Sequence, residues 1–172
     1  MTVATLILLA LSAAVSVAPT RIRAPHWSIA AASATLLSLS AITGALTSQA
    51  HGFALAMTYV VTVLAAVTGG SPIVTTVFKV ARRGGSPDPD DDAGPLHGGR
   101  TIGVLERTAV AASILTGWPE GIAIVLAVKG LARYPELRGS DGSAASEQFI
   151  IGTFTSVMWA VAVCGVGLSL AT

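Results

Sequence analysis

Among the ionisable residues that interrupt or border the apolar stretches in the second half of this 172-residue chain, six form a candidate cluster: Glu106, Arg107, Lys129, Arg133, Glu136 and Glu147. Their spacing defines the chemistry open to them. Lys129 and Arg133 are one helical turn apart and share a face. Glu106 and Lys129 are almost equally far from the turn signal Gly117-Trp118-Pro119-Glu120-Gly121. A helical hairpin turning there brings them to the same depth, about two turns inside the cytoplasmic boundary. Ionisable groups in membrane helices are costly, so they pair, snorkel or serve a pathway. Two readings follow. One is an ion-paired belt, Glu106 with Lys129 or Arg133, that holds the last three helices in register, with Glu136 and Glu147 compensating the remaining cations. The other is a cytoplasm-facing pocket in which Arg107, Lys129 or Arg133 meets a lipid phosphate or a substrate carboxylate.

Catalytic templates are missing from the sequence. It contains no Gly-x-Ser-x-Gly, no His-Glu-x-x-His and no phosphate-cradling glycine loop. His26 and His97 fall on one side of the predicted bilayer and His51 on the other, so the three histidines do not form one site. The single cysteine, Cys164, excludes an intrachain disulfide or thiolate cluster and sits in an apolar helix as a core residue. The aspartates of Asp88-Pro-Asp-Asp-Asp92 are interrupted by Pro89 and lack the spacing of a calcium loop, so they read as a solvated acidic loop. No metal, no cofactor and no enzymatic activity are expected.

The elements that position the charged residues follow from composition. Only 11% of residues are charged and 52% are hydrophobic, against roughly 25% charged in soluble domains, and the mean hydropathy is +0.73. A net charge of +1 and 5% aromatic residues leave little to grip or stack on a nucleic acid. The predicted fold class is all-α, a polytopic transmembrane bundle of about six spans. Uncharged runs of about 20 residues place helices at 2–18, 27–47, 53–78 and 149–170. The polar patch at 48–52 turns the chain between the second and third. Two shorter helices, 99–116 and 119–136, flank the Trp118 turn; a re-entrant or interfacial hairpin is the alternative there.

All ten Lys and Arg residues then fall on one side, which the positive-inside rule makes cytoplasmic. Both termini are expected outside a bacterial inner membrane. The first helix has no basic n-region, and Pro19 follows its small-x-small site, so it reads as a retained helix and not a cleaved signal.

The third segment is too long for one straight span and contains Gly69-Gly70-Ser71-Pro72. Gly69, Gly70 and Pro72 mark a candidate helix break: a kink in one helix over 53–83, or a turn followed by a half-helix at 73–82. The organisation is three helices in 1–83, a mobile acidic cytoplasmic loop at 84–100 and three helices in 101–172. Small residues along the second helix (Ser40, Thr43 and Gly44 among them) and along the last (Gly152, Ser156, Gly165, Gly167) suit close helix packing.

One resemblance enters at these residues. The pattern Gly103-x-x-Glu106-Arg107, Lys129-x-x-x-Arg133-x-x-Glu136 and Glu147-x-Phe149-Ile150-Ile151-Gly152-Thr153-x-x-Ser156 resembles the C-terminal membrane half of a bacterial domain family of unknown function. With Gly117-Trp118-Pro119-Glu120-Gly121 included, it is similar to uncharacterised six-helix membrane proteins of high-GC actinobacteria, over about residues 99–156. The resemblance implies a family and no activity. The expected role is a non-enzymatic accessory or structural subunit, with membrane lipids and a membrane-protein partner or second copy as its company. The alternative is a small transporter or channel for an anionic solute, ion or lipid.

Overall fold

The computed structural model of the chain describes residues 2–17, 26–46, 49–82, 99–137 and 142–171. They form six helices and, among the described residues, no strand: α1 (Thr2–Val17), α2 (His26–Ala45), α3 (Phe53–Arg82), α4 (Gly99–Leu115), α5 (Gly121–Leu137) and α6 (Gly142–Ala171). Segments of α2, α3 and α6 are each long and apolar enough to cross a membrane, whereas α1 is apolar but shorter. The acidic loop lies outside the described residues.

One boundary differs instructively from the sequence expectation, and one open alternative is decided. The last helix starts at Gly142, seven residues before the predicted 149, because hydropathy marks only the apolar part of a helix. Ser143–Gln148 is polar yet compatible with helical backbone, so α6 continues past its apolar end. In α3, the helix is continuous from Phe53 to Arg82 with Pro72 inside it, so residues 73–82 are not a separate half-helix.

The second turn is built by glycine. Gly117 has φ +76°, a conformation that a side chain disfavours. There Gly117 N donates to Ile114 O at 3.1 Å and Trp118 N to Ser113 O at 2.8 Å. This pair of bonds is a Schellman ending, and it reverses the chain into α5. At the same end of the bundle, Ala50 N donates to Leu170 O at 2.8 Å, tying the α2–α3 connection to the end of α6.

The antiparallel pair α3 and α6 forms the centre, with α1 and α2 on one flank and α4 and α5 on the other. Close approach is made by glycine on one helix facing a side chain on the other. Gly69 receives the Trp159 ring, Gly152 the Phe78 ring, and Gly167 the Thr62 side chain. Trp159 Nε1 also donates to Ala65 O at 3.2 Å. The α1–α2 seam uses hydroxyls instead: Thr5 Oγ1 donates to Thr43 Oγ1 at 3.1 Å and Ser12 Oγ to the Ser33 carbonyl at 3.3 Å.

Polarity is distributed inside out. Thr5, Ser12, Ser33, Ser40, Thr58, Thr62, Ser113, Thr153 and Ser156 are buried, while Ile7, Leu46, Leu64, Leu105, Leu131, Phe154 and Met158 are exposed. Water penalises such a continuous apolar exterior; hydrocarbon does not, and in hydrocarbon helices associate through small and hydroxyl residues. An open apolar groove of about 500 Å³ between α2, α3 and α6, lined by Leu37, Ile73, Phe154, Met158 and Trp159 among others, belongs to this exterior.

Candidate functional site: a charged group at the centre of four helices

Glu106, Arg107 and Lys129 come together, and they do so at the middle of their helices. Arg107 is the ninth of seventeen residues in α4 and Lys129 the ninth of seventeen in α5. Two turns from the end of so short a helix is its centre. The Schellman turn sets the register, and the Lys129 ammonium donates to Glu106 Oε2 at 2.5 Å. Glu106 is 5% exposed and Lys129 22%, so the pair is reached from the α5 side. The Phe149 ring on α6 lies 5.7 Å from Lys129 Nζ and contributes a cation–π attraction.

Arg107 sits deeper than the sequence suggests. It is 4% exposed and reaches both central helices. Its Nε donates to the Val67 carbonyl at 2.9 Å, one terminal nitrogen to Ser156 Oγ at 3.2 Å, and the other to Ser71 Oγ at 3.2 Å. Val67 and Ser156 are each the fifteenth of thirty residues in their helices. The guanidinium therefore lies level with the midpoints of α3, α4 and α6.

The slot that holds it explains Gly69-Gly70-Ser71-Pro72. A β-carbon at Gly70 would come within 2.6 Å of Arg107 Cδ and 2.8 Å of Nε, so only glycine lets the side chain lie along α3. Gly69, one residue away, admits Trp159 on a different side of the helix. Pro72 has no N–H for the Thr68 carbonyl, and its ring crowds the preceding turn. In this turn, Arg107 supplies a donor to the Val67 carbonyl. The two sequence features read separately, the charged belt and the candidate break, are one site.

Arg133 lies half-buried one turn from Lys129, and Glu147 is exposed near the start of α6. Glu136 belongs to the last turn of α5, with its side chain outside the described residues. Ser71 and Ser156 were missed as ligands of Arg107. The available signal was an Arg, next to Glu106 in sequence but with no carboxylate one turn away on its own face, and small hydroxyl residues within two other apolar runs.

The arrangement suits holding helices together better than chemistry. Its hydrogen bonds join α4 to α3, α6 and α5. Glu106 Oε1 and Thr153 Oγ1 are buried without a hydrogen-bond partner among the described residues. No group of three or more His, Cys, Asp or Glu able to hold a metal occurs among the described residues. No family model, curated protein or solved structure matches the chain.

Proposed function

We propose that this chain is a six-span bacterial inner-membrane protein acting as a non-enzymatic accessory or structural subunit, in which the Glu106–Arg107–Lys129 group locks the helices. The carrying observation is the complement of Arg107: its three bonds are all to protein oxygens, on the two helices that form the core. A guanidinium so engaged acts as a tie. Both termini and the Trp118 turn face outward in this reading, and Lys79 and the acidic loop face the cytoplasm, as the positive-inside rule requires. Purification of the full chain in mild detergent, followed by mass spectrometry of the intact assembly, tests the subunit reading. A stoichiometric membrane-protein partner, or a second copy, supports it; a monomer that co-purifies with lipid alone contradicts it.

A second reading, a small carrier or channel for an anionic solute, has one observation in its favour. The buried group contains two cations and one carboxylate, an imbalance that a scaffold does not require. Anion flux into liposomes reconstituted with the protein tests it directly.

A further inference from the structure

The charge imbalance has a specific place. Glu106 Oε2 is taken by Lys129. Arg107 makes no ion pair within 4 Å among the described residues: its three hydrogen-bond acceptors are neutral, and the neighbouring Glu106 carboxylate that attracts it is shared with Lys129, leaving one net positive charge. Neutral acceptors solvate a charge but do not balance it. A guanidinium has five N–H donors, so two remain without a protein acceptor there.

The α6 face opposite these cations has a matching vacancy in its hydrogen bonding. Phe149 lies beside Lys129 and Ser156 binds Arg107. Thr153, one turn from each, shares their face and lies between the two contacts. Its side chain is 6% exposed, and its hydroxyl has no partner among the described residues.

We propose that a small monovalent anion of the halide class binds between Arg107 and Lys129, held by the spare guanidinium N–H groups and the Thr153 hydroxyl. Glu106 Oε1, also without a donor, repels an anion and so places it on the guanidinium side of Thr153. The route in is from the α5 side, where Lys129 is the more exposed of the two cations. The site is compatible with the scaffold reading, in which the anion is a resident counterion, and with the carrier reading, in which it moves.

The test is thermal unfolding of the full chain in detergent, titrating chloride against gluconate at constant ionic strength. Wild type should show a saturable stabilisation by chloride. Thr153→Val, which keeps the side-chain volume and touches neither cation's protein partners, should weaken chloride about tenfold, the worth of one lost hydrogen bond to a charged group. Arg107→Gln should abolish the response; if it does not fold, the Thr153→Val comparison decides. Equal unfolding of wild type in chloride and gluconate would overturn the site, as would a chloride response that Thr153→Val leaves unchanged. Chloride binding without chloride flux in liposomes would uphold the site while ending the carrier reading.

Discussion

Arg107 on α4 and Val67 on α3 are joined by a 2.9 Å hydrogen bond from the guanidinium Nε to a backbone carbonyl, in the helical turn that precedes Pro72. Gly70 opens the space for the arginine side chain along this turn, and its Nε adds a donor to the Val67 carbonyl, next to the Thr68 carbonyl that Pro72 leaves without its helical donor. A charged residue on α4 thus packs into α3 and bonds Val67 and Ser71 there, so the two helices depend on one another.

Arg107→Lys should therefore be costly although it preserves charge. An ammonium on a flexible stem cannot reach Val67 O, Ser71 Oγ and Ser156 Oγ together. Losing charge-assisted bonds worth about 1.5–3 kcal/mol each predicts a clear drop in detergent thermal stability. Ser71→Ala and Ser156→Ala should each show a smaller part of the same loss.

Gly70→Ala should reverse the usual sign. In most helices alanine is more stable than glycine by about 1 kcal/mol, but here the added carbon meets Arg107 at 2.6 Å, and overpacking costs about 1–3 kcal/mol. Gly165→Ala is the control, since nothing lies within 4 Å of that position, and it should be neutral or stabilising. Parallel melts of the two variants check the contrast.

Much of this site was legible before any coordinates. The hairpin arithmetic around Trp118 pairs Glu106 with Lys129, because register in a tight hairpin depends on local turn chemistry alone. Uncharged runs locate the apolar parts of α2, α3 and α6 for the same reason: hydropathy is local. What the sequence did not disclose is which face of α3 meets α4. That choice depends on packing among four helices far apart in the chain, so Arg107 and the Gly69–Pro72 segment remained two unrelated features. The early start of α6 was hidden because Ser143–Gln148 carries no apolar period to count.

Gly117→Ala should loosen the hairpin. With φ at +76°, a β-carbon there costs about 1–2 kcal/mol and strains both Schellman bonds. Because those bonds set the α4–α5 register, crosslinking between cysteines introduced at Glu106 and Lys129 should fall in the variant relative to the Gly117 protein. Unchanged crosslinking would show that the register does not depend on the turn.

Topology is predicted by the same account. Reporter fusions at Thr172 and within residues 88–95 should give opposite signals, extracytoplasmic for the first and cytoplasmic for the second. A cytoplasmic Thr172 would contradict an even number of crossings with an outward N-terminus.

The double-mutant cycle of Glu106→Gln and Lys129→Met, read by thermal unfolding in detergent, addresses the lock most directly. Removing one partner of a buried pair strands the other charge, at about 3–5 kcal/mol, while removing both leaves no orphan. The account predicts two strongly destabilised single variants and a double variant that recovers much of the loss. Additive losses, with the double variant as unstable as the two singles combined, would contradict a lock between α4 and α5.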